Sequence, residues 1–241
     1  MTARRVLITG AARGIGAAIA QAFTAAGDRV AVHGRTPADF GLPAEGHAVV
    51  FGDLSDPDAV RTVVDRAAEA LGGLDVVVNN AAVYIEHKIL DVNYEEWQRA
   101  WHDTLAVDLL APANVCWCAA RHLGQGGRII NVSSRGAYRG EPDHPAYGAS
   151  KAALNSMTQS LARALAPKGI AVSAVAPGFV ATDLVADLLA APEGDAIRAQ
   201  SPFGRVATPE EIAAAVLHLA SPQAEWSSGA ILDLNGASYF R

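Results

Sequence analysis

Tyr147 and Lys151 stand four residues apart in the run YGASK, and Ser134 lies thirteen residues before the tyrosine. On a helix, positions i and i+4 share a face, so phenol and ammonium would be neighbours. A phenol has a pKa of about 10 and is a weak base at neutral pH. A cation beside it favours the phenolate and lowers that value. Such a tyrosine can pass a proton to or from a hydroxyl, a step worth roughly 10²- to 10⁴-fold in rate. A serine hydroxyl alongside can hydrogen-bond a carbonyl oxygen. YxxxK alone is common and equally describes an exposed helical pair. Hydrolase chemistry does not fit: no GxSxG elbow is present, and no acid–histidine pair is placed around the serine. The seven histidines follow no metal spacing; they read as surface or structural residues, and no metal is expected.

A second pattern lies near the start. TGAARGIG, Thr9 to Gly16, places glycines at Gly10, Gly14 and Gly16, with no Gly-Lys pair of a phosphate loop. It joins a predicted strand to a predicted helix. A helix N-terminus offers unpaired N–H groups and a partial positive charge to an anion. Gly10 permits a tight turn, while Gly14 and Gly16 permit close approach of a pyrophosphate and of helix to strand. Packing alone would also account for such a turn. Dinucleotide sites often carry a carboxylate after the second strand for the ribose 2′-OH. Here VAVHGRTP ends in Gly34-Arg35 without an acid. Arginine there suits a 2′-phosphate, by charge and forked hydrogen bonds, and Arg13 can flank the same phosphate. NADP(H) is therefore preferred over NAD(H), which stays possible.

These residues need a scaffold. Short apolar, β-branched runs alternate with helical ones. Strands are predicted at 4–9, 29–34, 46–52, 74–79, 127–134, 170–177 and 230–234. Helices are predicted after the glycine loop and at about 56–72, 94–122, 147–167 and 208–220. Asp56 is the predicted N-cap of its helix, Pro57 its first residue and Gly72 its end. The strands are apolar throughout, as when a parallel sheet is covered on both faces. The expected fold is a doubly wound, Rossmann-like α/β sheet of about seven strands. No Pro/Ser-rich linker interrupts 1–241, so a single domain is expected to carry both coenzyme and substrate sites. The segment 178–207, with Pro177-Gly178, Pro192 and Pro202, is a long loop, and long loops are usually functional or mobile.

Composition narrows the class. The chain has 241 residues, half of them apolar, and a net charge of −6. That suffices for a sizeable core, and no basic run suggests nucleic acid. Nothing approaches a membrane span, and the N-terminus lacks a signal-peptide core. The two cysteines, Cys116 and Cys118, read as structural thiols and suggest a cytoplasmic setting.

TGAARGIG, NNAA (79–82), SS (133–134), YGASK and PGFVATD (177–183), in this order and spacing, resemble the short-chain dehydrogenase/reductase family, in its single-domain branch. The likeness extends over nearly the whole chain, PFGRVATPEEIAAAVLHLAS included. It implies NAD(P)(H)-dependent interconversion of an alcohol and a carbonyl compound. By position, Tyr147 resembles the acid/base, Lys151 the residue that binds nicotinamide ribose and lowers the tyrosine pKa, and Ser134 the hydroxyl that orients the carbonyl. Asp53 matches the carboxylate on the adenine amino group. Asn80 sits where the family places backbone contacts to ribose, and Thr182 where it contacts the carboxamide. The implied coenzyme site comprises Gly10, Arg13, Gly14, Ile15, Gly16, Gly34, Arg35, Asp53, Leu54, Asn80, Ala81, Tyr147, Lys151, Pro177, Gly178, Val180 and Thr182.

The chain departs from the family pattern twice. Ala82 replaces the glycine of NNAG, a mild change where φ is negative. Asp108, seven residues after Trp101, occupies the place of a helical asparagine that helps hold a relay water near the lysine. Registering on Trp97 would put Thr104 there instead, but AVDLLAPA fits the family text better. Asp108 is expected either to serve in that role or to pair with Lys151 and weaken its coupling to Tyr147. The resemblance further implies a homotetramer or dimer built on the helices at 94–122 and 147–167. Two other functions stay open: a catalytically weak NADP(H)-sensing protein of the same fold, and an epimerase or dehydratase. The latter usually has a longer chain and a GxxGxxG loop. Segments 83–88, 135–144 and 179–200 should face the substrate. Glu86, His87, Arg135, Arg139 and His144 make the first two polar, while Leu184, Val185, Leu188 and Leu189 make the third mixed. A small polar substrate such as a sugar or hydroxy compound fits better than a long acyl chain, and an acyl-thioester ketone stays open.

Overall fold

The computed structural model describes residues 3–38, 40–42 and 46–241, with Leu184 described by its backbone alone. Its strands are β1 (Arg5–Ile8), β2 (Arg29–Gly34), β3 (Ala48–Phe51), β4 (Leu74–Asn79), β5 (Leu123–Val132), β6 (Ala171–Pro177) and β7 (Ile231–Leu234). They form one sheet in the order β3-β2-β1-β4-β5-β6-β7, and every pairing is parallel. The helices are α1 (Gly14–Ala25), α2 (Pro57–Leu71), α3 (Tyr94–Leu105), α4 (Ala111–Ala119), α5 (Gly136–Arg139), α6 (Pro145–Leu165), α7 (Ala186–Ala190), α8 (Glu193–Arg198) and α9 (Pro209–Leu219). Seven strands, doubly wound, is the expected fold.

The apolar strands have the expected cause. Val6 and Ile8 of β1 pack with α1 and α9 in one core, through Ile19, Phe23, Ile212 and Val216. Leu7, between them, packs with α2, α4 and α6 in the other, through Val60, Val64, Val115 and Ala162. Successive side chains point to opposite faces, and both faces are dry. Each fully buried Ile or Phe contributes roughly 1.5–3 kcal/mol.

Local signals hold at α2. The Asp56 carboxylate accepts the Asp58 N–H at 2.9 Å, and Gly72 closes the helix at φ 77°. Only glycine takes that left-handed turn without strain.

The predicted helix 94–122 is interrupted. Between α3 and α4 the chain makes a π-helical turn, Ala106–Leu110, in which Ala111 N–H reaches Ala106 O, five residues back. Pro112 explains part of it, having no N–H to give to the Asp108 carbonyl. Helix spacing at the sequence level does not show an inserted residue. Two other boundaries differ. β5 begins at Leu123 and ends at Val132, so Ser134 lies just beyond the strand rather than on it. The loop 178–207 carries α7 and α8, and α5 was not predicted.

Because the strands are parallel, their carboxyl ends share one edge. From β1 the chain winds outward to β3, then returns to place β4 on the other side of β1. That reversal leaves a crevice above β1 and β4, where open α/β sheets take their ligands.

Candidate active site

The glycine loop lies at this crevice, and its glycines have separate reasons. Gly10 (φ 64°) and Gly14 (φ 56°) are left-handed. A Cβ on Gly16 would collide with the Gly10 carbonyl and the Asn80 side-chain nitrogen, so Gly16 brings α1 against the loop. A Cβ on Gly14 would stand 3.2 Å from Thr182 Cγ2, which sets the start of the 178–207 segment directly against the loop. No side chain caps the N-terminus of α1, and no acid lies in its first turn. A cradle without side chains, at an uncapped helix start, fits a pyrophosphate. Arg13 and Arg35 are exposed beside it, and the residue directly after β2 is Arg35 rather than a carboxylate. The residues therefore fit a dinucleotide with an extra phosphate.

Two of the three residues that brace the cradle, Thr9 and His33, escaped the sequence reading; the third, Asn80, was expected there. Thr9 Oγ1 accepts the N–H groups of Asn80 (3.0 Å) and Ala81 (3.1 Å). The Asn80 amide donates to the carbonyls of Thr9 and Gly10, both at 2.9 Å. Its side chain thus locks the end of β4 to the loop. His33, buried at the end of β2, accepts the Gly10 N–H on Nδ1 (3.2 Å) and donates from Nε2 to Gly52 O (2.9 Å). This histidine ties three strand ends together, and burial lowers its pKa. The signal for Thr9 was its place in TGxxxGxG; for His33 the sequence held none.

Asp53 Oδ1 accepts the backbone N–H and the hydroxyl of Ser55, at 2.9 and 2.8 Å. Those bonds, with the charge of Arg35 adding to them, hold the carboxyl below the usual range. Ala82 has no positive φ, so the exchange for glycine is tolerated.

One cleft of about 670 Å³ brings together every residue of the implied coenzyme site, with Ser134, Tyr147 and Lys151. Ser134 Oγ accepts the Gly136 N–H at 3.0 Å, and the Ser134 side chain stands close enough to the Tyr147 hydroxyl to favour its phenolate. Lys151, buried, donates from Nζ to Val132 O at 3.2 Å, and its nitrogen lies 5.4 Å from the Tyr147 ring centroid.

Asp108 is not on the cleft wall. It is fully buried behind it. Its Oδ1 accepts the Val83 N–H at 2.8 Å, and Oδ2 lies 3.7 Å from Lys151 Nζ. The carboxylate thus pairs with the lysine, as one of the two sequence expectations held. Burial raises the Asp108 pKa, against the opposing effects of Lys151 and the Val83 N–H. Thr104 is buried one turn earlier.

The expected lowering of the Tyr147 pKa does not occur in this structure. Packing around the phenol raises it, the Ser134 side chain opposes the rise, and the charges of Asp108 and Glu141 add to it. A cation already paired to a carboxylate has little field left for a third group.

Of the substrate-facing residues, Tyr84, Ile85, Arg135, Glu141, Phe179 and Val185 line the cleft. The Tyr84 ring meets Tyr147 edge-on at 4.8 Å and stacks on His144 at 3.6 Å. Glu86 instead turns outward onto Lys88 (3.0 Å). His87 is buried, bonding Ile85 O (2.7 Å) and the Ala146 N–H (3.2 Å). The side chain of Leu184 lies outside the described residues.

This is the layout of a doubly wound α/β oxidoreductase, with proton-transfer groups beside a nucleotide cradle. Comparison with known proteins is more specific. A family model described as enoyl-(acyl carrier protein) reductase matches residues 10–236. The chain is 34% identical to the 3-oxoacyl-[acyl-carrier-protein] reductase of Vibrio cholerae, over 97% of this chain and 96% of that protein. It is 37% identical to the cis-4-hydroxycyclohexanecarboxylate dehydrogenase of Sinomonas cyclohexanicum, over 97% and 95%. A short-chain dehydrogenase of Burkholderia cenocepacia, solved in complex with NADP, superposes with a TM-score of 0.89 at 37% identity, covering 98% and 97% of the two chains. The chain belongs to the short-chain dehydrogenase/reductase family and is an oxidoreductase acting on CH–OH/C=O groups.

Proposed function

We propose that the protein is an NADP(H)-dependent oxidoreductase that interconverts a secondary alcohol and a ketone, or a primary alcohol and an aldehyde. One observation carries this: Ser134, Tyr147 and Lys151 converge on the same cleft as the glycine cradle, Arg13 and Arg35. The dinucleotide supplies or accepts the hydride when bound. Tyr147 Oη gives a proton to the carbonyl oxygen or takes one from the alcohol. The Ser134 hydroxyl orients that oxygen by hydrogen bonding. Lys151 anchors the ribose of the nicotinamide half. Gly10, Gly14, Ile15 and Gly16 offer backbone to the pyrophosphate; Arg13, Gly34 and Arg35 face the 2′-phosphate. Asp53 and Leu54 hold the adenine, Asn80 and Ala81 its ribose, and Pro177, Gly178, Val180 and Thr182 the carboxamide.

A polar substrate suits the Tyr84, Arg135 and Glu141 side of the cleft. The cis-4-hydroxycyclohexanecarboxylate dehydrogenase, a relative named for a small hydroxy acid, supports that class. Chains of this kind pair along the helices equivalent to α3, α4 and α6. Exposed Tyr94, Leu110 and Trp117 on and between α3 and α4 support a homo-oligomer, and two free buried thiols suit the cytoplasm.

The test is NADPH oxidation and NADP⁺ reduction across ketones, aldehydes, sugars and polyols, with Arg35→Ser as the specificity control. A hydrogen bond to a charged group is worth about 1.5–3 kcal/mol, so the variant should lose roughly ten- to a hundredfold in NADPH affinity and little in NADH affinity. An unchanged NADPH/NADH ratio defeats the coenzyme assignment. Gly34→Asp is a less clean probe, because a Cβ there would stand 2.9 Å from the Phe40 ring. The Asp108–Lys151 pair favours a second function, nucleotide sensing. Tight NADP(H) binding with no turnover of any substrate would select it.

A further inference from the structure

The buried carboxylate behind Lys151 has no counterpart among the groups that transfer the proton. Its Oδ1 is used by the Val83 N–H, while Oδ2 is buried with no hydrogen-bond partner and lies 3.7 Å from Lys151 Nζ. The amide found at this place in the family would carry no charge. An ionised Asp108 therefore places a negative charge next to Lys151, the cation that lies 5.4 Å from the Tyr147 ring centroid.

We propose that Asp108 is a positioning residue which, through Lys151, keeps Tyr147 in its proton-donating form and tunes the site to carbonyl reduction. The inference rests on Tyr147 being the proton-transfer group. In reduction the carbonyl carbon takes up a hydride from the reduced dinucleotide, and the carbonyl oxygen takes the phenolic proton. The alcohol leaves, and solvent returns a proton to the phenolate. Oxidation runs the same atoms in reverse and needs the phenolate first. With a phenol pKa of about 10 only about one molecule in a thousand holds a phenolate at pH 7, and a compensated lysine leaves that fraction smaller still.

The other groups facing Tyr147 do not compensate. Glu141, from the loop before α6, adds negative charge and is itself paired with Arg139 at 3.5 Å. Tyr84, from the segment after β4, presents a ring edge and stacks on His144 of the α6 entry. The Ser134 side chain, beyond β5, favours the phenolate. Asp108 is thus the charge whose removal should free Lys151 to act on the phenol.

The test needs no substrate. Tyrosine labelled with ¹³C at Cζ reports phenol ionisation by NMR, and the resonance absent from Tyr147→Phe is Tyr147. Proton affinity is read in the free chain and with saturating NADP⁺. In Asp108→Asn, which keeps an oxygen for the Val83 N–H, it should fall about tenfold or more, one pH unit per factor of ten. Asp108→Ser, a second uncharged variant, should show the same direction. Adding Lys151→Met to either should reverse the drop, which loss of packing would not do. A drop under about threefold in both variants, or one that survives Lys151→Met, overturns the proposal. Neither result bears on whether the chain turns over a carbonyl compound, which the substrate panel decides separately.

Discussion

At the residue scale the site turns on where one proton sits. Tyr147 lies beside Ser134, with Lys151 Nζ 5.4 Å from its ring centroid, but the lysine is shared with Asp108. In the proposed reaction the phenol is therefore the acid at neutral pH. Replacing it removes the proton and leaves the cradle intact. Tyr147→Phe should lower kcat by roughly 10²- to 10⁴-fold, the usual worth of a positioned acid, with NADPH affinity by fluorescence titration within about twofold of wild type. Full turnover in that variant would remove Tyr147 from the reaction. YGASK gave the spacing of tyrosine and lysine, and helix geometry converts that spacing into a shared face. The same geometry said nothing of Asp108, which comes from a different helix. Its two expected fates, relay or pairing, were separable only once α6 and the π-turn were set side by side.

At the element scale the cradle is held by strand ends rather than by its own loop. Thr9, His33 and Asn80 fasten β1, β2 and β4 to the glycines. His33 makes this fastening sensitive to pH. Its Nδ1 must be unprotonated to accept the Gly10 N–H, and burial lowers its pKa from the ordinary value near 6.5. A group whose folded pKa is lowered contributes stability that is complete above the unfolded value. The contribution is lost as pH falls from about 6.5 through the lower folded value. NADP⁺ affinity and thermal midpoint should therefore decline together below about pH 6.5. His33→Gln can preserve the hydrogen bonds without titrating and should flatten the part of that decline that belongs to His33. An identical pH profile in His33→Gln would assign the decline elsewhere. The break between α3 and α4 belongs to this scale too. The apolar spacing of 94–122 reads as one helix, yet Pro112 withholds an N–H and the turn widens at Asp108. A pattern of apolar side chains does not report a missing backbone bond one turn before the proline.

At the scale of the whole molecule, the sheet buries both faces, but three large apolar side chains on and between α3 and α4 stay exposed among charged residues of α3. Tyr94 is 71% exposed, Leu110 56% and Trp117 57%. Contact with a second copy of the chain would cover all three. Leu110→Glu with Trp117→Glu should shift sedimentation from a dimer or tetramer toward monomer while far-ultraviolet circular dichroism stays unchanged. A wild-type chain that sediments as a monomer at micromolar concentration would sink the oligomer. Much of the architecture was legible beforehand, because it depends on near-neighbour rules. Apolar runs gave buried strands, Asp56, Pro57 and Gly72 bounded a helix, and the glycine spacing marked a strand-to-helix turn. Those rules act over a few residues, within reach of a one-dimensional pattern. Pairing of Asp108 with Lys151, the tie from His33 to Gly10 and the outward turn of Glu86 join residues far apart in the chain or depend on side-chain choice. Folding decided them, since only packing in three dimensions fixes which charges lose their water together and which field each one feels.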